Sequence, residues 1–420
     1  MSASTTTNSN NSKPETGSIT SVPATPQLRR IPTYLQPNLP WRERLLHFTF
    51  AWYTVTMSTS GIALIIALTP HRFPGLSTIG LIIFLLDLLV FLLITVAILL
   101  RFILYSRTLR RAFTRPTEAL FVPTFFLSIA AILSNVAEYG ALYLNDETSA
   151  RGGALSKFLA AAFWVYLGVT FIFSVFQYHL IFSVREERRL TVSAMTPAWI
   201  LPIFPVMLAG TLAGAISKSQ EPEDAVGILC AGLAAQGLGM FVSIFFYSTY
   251  LSRLMAFGLP AQRPGMFIAV GPPSFTCAAL VAMASDMPRI MTSTAGEASV
   301  LAGLGDPATM GAGVRLLAIN VAVFFWGLSF WFFASAAAAV VAGMPDSKFH
   351  LSWWSFVFPN VGFAIASMRL GEALGSEGVL WLSSVMTVGL FLAWGFIGFR
   401  CVRAVVKREI VWPGHDEDSD

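Results

Sequence analysis

Residues 54 to 60 read Thr-Val-Thr-Met-Ser-Thr-Ser, which puts five hydroxyl-bearing side chains (Thr54, Thr56, Ser58, Thr59 and Ser60) just before Gly61. Hydroxyls at that density can hydrogen-bond a polar solute along a path, and they are equally at home where membrane helices pack closely. Asn135 and Asn360 add amides of the same capability. The ionisable groups within or beside long apolar stretches are Asp87, Glu118, Glu138, Arg369 and Glu372. In hydrocarbon each costs about 2.5–3.5 kcal/mol on insertion scales, so each needs a partner, water or a task. For Asp87 the choices are pairing with a neighbouring helix or local water, and proton carriage; the other four lie near span ends, where snorkelling to water is usual. A catalytic constellation is missing: there is no H-E-x-x-H, no G-x-S-x-G and no pair of membrane aspartates. Cys230, Cys277 and Cys401 have no C-x-x-C spacing and no histidine nearby, which argues against a disulfide framework or zinc site, and no cofactor is expected. His47, His71, His179, His350 and His415 fall at span ends, in loops or in the tail, so none is placed for proton coupling inside a membrane.

The elements that must position these residues are apolar. Of 420 residues 55% are hydrophobic and 12% charged, whereas a soluble domain carries roughly 25% charged residues. The apolar residues form blocks of about 20 or more, enough at 1.5 Å per residue to cross a ~30 Å hydrocarbon core. Ten such spans are expected near 46–68, 76–104, 119–142, 155–183, 198–217, 225–253, 265–286, 315–343, 353–373 and 379–404, giving an all-α membrane domain over 41–404. Residues 1–40, rich in Ser, Thr, Asn and Pro, read as a disordered tail, and 405–420 as a short second tail. Of the 27 Lys and Arg residues, the face holding the N-terminal tail takes 20 and the other face 7. Cytoplasmic loops attract the positive excess, so both termini are expected in the cytoplasm. The basic residues follow this rule without any base-reading or stacking motif, so no nucleic-acid partner is expected. The arginines between 101 and 115 are a candidate contact for anionic lipid beside this topological role.

Proline inside a membrane helix frees a carbonyl that lipid cannot satisfy, so helix-breaking prolines belong where protein or a cavity can compensate. Pro123, Pro202, Pro205, Pro272, Pro273 and Pro359 all fall in odd-numbered spans three, five, seven and nine. The odd spans are therefore expected inside and the even ones facing lipid. Span two, LIIFLLDLLVFLLITVAILL, is apolar nearly all round, as a lipid-facing helix should be. Gly210 and Gly214 form a small-xxx-small pair suited to helix packing.

Four segments carry a family likeness: WYTVTMSTSGIAL at 52–64, TEALFVPTFFLSIA at 117–130, MTPAWILPIFPVMLAGTLAG at 195–214, and FHLSWWSFVFPNVGFAIAS with GEALGSEG at 349–378. Together they resemble the fungal malic-acid transport branch of the tellurite-resistance/dicarboxylate transporter family, which includes plant slow anion channels and fungal sulfite efflux pumps. The resemblance spans about 41–404. It implies five helical hairpins around a central pore, with odd helices lining it, and a phenylalanine on helix nine that closes it. Phe358, directly before Pro359, fits that position best, with Phe356 second. Thr56, Ser58, Ser60, Asn135 and Asn360 become candidate pore-lining groups and Glu118 a candidate at the cytoplasmic mouth. Arg115 stands where the family commonly has His, and Ser58 and Ser60 where it usually has Gly, while Glu118-Ala119 leans towards the malate-type branch.

No row of buried Arg or Lys grips an anion in this sequence, so helix N-termini and free backbone N–H groups are the expected anion contacts, weak enough for release. The implied protein is a plasma-membrane carrier or channel for C4-dicarboxylates such as malate and succinate. Its partners are then a small anionic substrate, the bilayer and, as in some family members, two further copies in a homotrimer. Sulfite or other small-anion efflux is the rival within transport. An intramembrane enzyme and a non-conducting scaffold are the readings outside it. The Ser/Thr-rich N-terminal tail is a candidate for regulatory phosphorylation.

Overall fold

A computed structural model describes Ser2 and residues 39–144, 151–294, 306–344 and 348–412. Most of the expected N-terminal tail and the last eight residues of the C-terminal one, His415 included, lie outside the described residues. Regular structure in the described residues is entirely helical. The ten longest helices are α1 (Tyr53–Leu68), α2 (Leu76–Leu104), α3 (Pro123–Tyr143), α4 (Ala154–Phe182), α5 (Phe204–Ile216), α6 (Pro222–Phe257), α7 (Gly271–Ser285), α8 (Pro307–Val341), α9 (Phe358–Leu374) and α10 (Glu377–Val406).

Length and burial alternate along this series. The even helices run 29 to 36 residues, about 43–54 Å at 1.5 Å per residue. They are unbroken because their Leu, Ile, Val, Phe and Ala sequences contain no internal proline. Only 17–44% of their most apolar windows is buried in the protein, against 61–89% for the windows containing α1, α3 and α7. In α5 every residue but Thr211 and Ala215 is buried, and in α9 only Arg369 escapes burial among the first fourteen.

Eight helical segments among the described residues are long and apolar enough to cross a membrane. The spans expected at 198–217 and 353–373 fall short as single helices, because each is split into a 3-10 segment (Pro197–Ile200 or Leu351–Phe356) followed by α5 or α9. A short helical segment also precedes the main helix in the other odd spans: 3-10 turns at Phe50–Trp52 before α1 and Arg263–Val270 before α7, and an α-helical turn at Pro116–Ala119 before α3. The prolines thus stand at junctions and not deep inside α-helices. Pro123, Pro205, Pro272 and Pro359 occupy first-turn positions, Pro273 follows Pro272, and Pro202 lies in the turn joining the two parts of its span. A first-turn N–H has no intrahelical acceptor, so proline costs nothing there and fixes φ for the helix that follows.

Packing order closes on itself: α1 touches α3, α3 touches α5, α5 touches α7, α7 touches α9, and α9 touches α1. Each even helix packs on the odd helix before it and again on the next. Gly375, at φ +62°, ends α9 in the left-handed conformation, and Ser376 N–H bonds back to the Gly371 carbonyl, which turns the chain into α10 within two residues. At the C-terminus Ile410, Val411 and Trp412 are buried, with Arg44 and Arg408 over the Trp412 ring at 5.3 and 5.0 Å, so the start of the expected second tail is packed down.

Candidate functional site

Inside the ring, three helix N-termini meet at three phenylalanines. Phe204 is the first residue of α5 and Phe358 the first of α9, while Phe275 sits on the second turn of α7. Ring centroids are 5.3 Å apart for Phe275 and Phe358, 5.8 Å for Phe204 and Phe275, and 6.3 Å for Phe204 and Phe358. Glycine makes this approach feasible at two points. A Cβ on Gly271 would fall 2.8 Å from the Phe204 ring, and one on Gly362 would fall 2.6 Å from the Phe275 ring. Each helix N-terminus carries the equivalent of roughly half a positive charge. The cluster therefore combines an apolar plug with a positive potential around it.

Phe356 is turned elsewhere. It lies against Phe267 at 5.1 Å and, with Asn360, lines a separate apolar cavity of about 570 Å³ walled mainly by α8 and α10 and the segments before α7 and α9. The two phenylalanines of WWSFVFPN thus face different surroundings, and only Phe358 joins the central cluster.

The hydroxyls of α1 do not share one face. Thr56 and Ser60, one turn apart, both meet α3: Thr56 Oγ1 is 2.5 Å from Ser128 Oγ, and Asn135 Nδ2 donates to Ser60 O at 2.9 Å and Oγ at 3.0 Å. Ser58 donates to the Trp354 carbonyl at 3.4 Å, Thr59 accepts from Trp394 Nε1 at 3.0 Å, and Thr54 bonds back to the Ala51 carbonyl. Thr56, Ser58, Ser60, Asn135 and Asn360 are all buried. Asn360 Nδ2 donates to the Phe356 carbonyl, while the Oδ1 atoms of Asn135 and Asn360 accept no hydrogen bond. Asp87 on α2 is completely buried; the Ser60 hydroxyl is near it, yet neither carboxylate oxygen is in hydrogen-bond geometry with a donor. The neighbouring helix thus brings the Ser60 hydroxyl close to Asp87 without a hydrogen bond between them.

Glu118 is enclosed by protein. It is 3% exposed, and Arg101, 4% exposed in the last turn of α2, donates Nη1 to its Oε1 at 2.6 Å. The sequence sets Glu118 at a span end, where reaching water is usual. The ion pair instead locks the end of α2 to the segment that precedes α3.

At the other end of the ring a vestibule of about 210 Å³ draws on all five inner helices, through Leu68, Ala137, Gly214, Ala282 and Arg369. Its charged walls are Lys218, Arg369 and Glu138, with Arg369 Nη2 3.8 Å from Glu138 Oε1 and Nη1 3.5 Å from Glu372. Sequence reasoning missed Lys218 as a site residue because it sits in a loop, and it missed Phe204 and Phe275 altogether. A signal for Phe204 is present, since of the three Phe-Pro dipeptides, at 73–74, 204–205 and 358–359, the last two fall inside apolar spans. Nothing in the spacing marks Phe275.

Among the described residues, long outer helices and shorter inner ones, four of the five inner helices with proline in the first turn, close around aromatic side chains and a charged vestibule, the construction of an integral membrane channel or transporter. Residues 47–402 match the voltage-dependent anion channel family, and the chain belongs to it. It is 32% identical to the malic acid transport protein of Schizosaccharomyces pombe over 91% of this chain and 84% of that one. It is 34% identical to a putative malic acid transport protein of the same yeast over 91% and 86%. The sulfite efflux pump of Trichophyton rubrum is more distant, at 21% over 79% and 83%.

Proposed function

We propose that this protein moves C4-dicarboxylates, malate and succinate foremost, across a membrane along the axis enclosed by α1, α3, α5, α7 and α9. The observation that carries this reading is the meeting of three helix N-termini at Phe204, Phe275 and Phe358. Aligned backbone dipoles stabilise an anion without the tight grip of a buried guanidinium, so a conducted ion can leave. Phe358 is the gate, closed against Phe204 and Phe275. The malate preference rests on the similarity to the fission-yeast transport proteins and on Lys218 and Arg369, two cations flanking one vestibule. A substrate with two carboxylates can meet both.

In this reading α5 and α9, each with its preceding 3-10 segment, complete ten spans arranged as five hairpins. Residues 41–404 form the transport domain, both termini lie in the cytoplasm, and the protein works in the plasma membrane as a homotrimer. Flux by purified protein in liposomes tests it, with labelled malate and sulfite compared under an imposed voltage and, separately, an imposed pH gradient. Malate flux is expected under voltage. Sulfite flux without malate flux would overturn the dicarboxylate assignment in favour of small-anion efflux.

A further inference from the structure

Where α2 and α4 end on the same side, a concavity of about 700 Å³ opens between the helix Ser106–Thr114 and the chain after α4. Arg107, Arg110, Arg111 and Arg185 line it against a single acid, Glu187, and all five side chains are exposed. Elsewhere Arg101 pairs with Glu118, Arg289 with Asp286, and Arg369 with Glu138 and Glu372. Among the described residues none of the four lining arginines has an ion pair or a side-chain hydrogen bond. Four mutually repelling guanidiniums around one hollow, with a single carboxylate among them, are a receptor for a polyanion.

We propose that this hollow binds the multiply phosphorylated headgroup of a membrane lipid, of the phosphoinositide class. Guanidinium forks match phosphate oxygens in bidentate geometry, and several can share one phosphomonoester. A singly charged headgroup would leave most of the guanidinium charge uncompensated. The lipid origin follows from position. The hollow begins directly after the 29-residue α2, whose last turn exposes Ile103 and Leu104, and Leu109 on the arginine-bearing helix is also exposed. Apolar side chains open to acyl chains thus adjoin cations placed at headgroup level, the arrangement of a polybasic segment beside a membrane helix. Ser183 adds a hydroxyl to the wall, while that of Thr114 donates to the Arg110 carbonyl at 2.8 Å.

The site lies apart from the transport axis, so its test does not depend on which anion is carried. Purified full-length protein is titrated with dioctanoyl phosphatidylinositol 4,5-bisphosphate and bound lipid counted by native mass spectrometry. Dioctanoyl phosphatidylserine and free inositol 1,4,5-trisphosphate serve as comparison probes. One lipid should bind saturably. The double substitution Arg110→Gln with Arg111→Gln should weaken it about thirtyfold, since each arginine near an anionic headgroup is worth roughly a factor of five. Lys157→Gln, at the opposite end of the molecule, should leave binding unchanged, and the melting temperature of the double variant should match the parent because both arginines are exposed. Equal affinity in the double variant, or phosphatidylserine binding as tightly as the bisphosphate, would overturn the site. Free trisphosphate binding as tightly as the lipid would overturn its lipid origin.

Discussion

Glu118 and Phe358 each owe their behaviour to a partner on another element. Taking one member from a buried ion pair leaves an uncompensated charge, which costs about 3–5 kcal/mol. Glu118→Gln should therefore lower thermal stability in detergent by that order, and adding Arg101→Met should restore most of it. A double variant no more stable than the single one would mean that the pair does not act as a unit. The sequence placed Glu118 in a motif but could not reveal its partner, because the 17-position separation from Arg101 takes in the end of α2 and the whole of the helix Ser106–Thr114. For the aromatic cluster, Phe358→Ala should raise basal anion flux in liposomes several-fold, and Phe204→Ala should do likewise because it removes the opposing ring. Phe356→Ala faces the lateral cavity and should leave flux nearly unaltered. A flux equal to that of the parent in Phe358→Ala would remove the gate from this cluster.

At the scale of elements, the inner and outer helices differ in how they begin. Proline positions separate the odd and even classes in the sequence itself, because a membrane helix facing lipid has no means of satisfying a freed carbonyl. The mode of interruption was hidden, since a 3-10 turn and an α-helix bury the same apolar residues and hydropathy does not distinguish them. Glycine spacing was only half informative. Gly210 and Gly214 read as one packing face, yet Gly210 abuts Gln236 and Gly232 of α6, whereas Gly214 abuts Ala282 and Met283 of α7. Contact between α5 and α6 is set as much by glycines on the partner. A Cβ on Gly239 would lie 2.4 Å from Met207 Cβ, and one on Gly232 would lie 2.4 Å from Ala213 Cβ. Gly239→Val should therefore lose about 1–3 kcal/mol through overpacking. Gly237→Val supplies the control, as open space surrounds that position on the same helix. Comparable melting temperatures for the two variants would show that α5 and α6 can separate at no cost.

Only the whole molecule makes the vestibule, because it draws together the far ends of five inner helices whose sequence separation exceeds 300 residues from Leu68 to Arg369. That convergence was beyond reach of the sequence: Lys218 and Arg369 were visible as two of the seven cations on one membrane face, but nothing in their spacing set them around one hollow. Their charge has a consequence with a definite sign. Arg369, Lys218, Glu372 and Arg72 all lie within electrostatic reach of Glu138. Glu138 occupies Arg369 in the absence of substrate and repels an arriving carboxylate, while Lys218 attracts it. One unit charge at about 4 Å is worth about 1–4 kcal/mol between bulk water and a protein surface. Lys218→Gln should then raise the KM for malate between a few-fold and several hundredfold, and Glu138→Gln should lower it, with smaller changes for a monovalent anion in both cases. Flux measured in liposomes across a range of malate concentrations separates this from a structural effect. Damage to folding would lower the maximal rate in both variants and move KM in neither direction consistently, whereas opposite KM shifts of greater size for the divalent anion require charge acting on the substrate at the mouth.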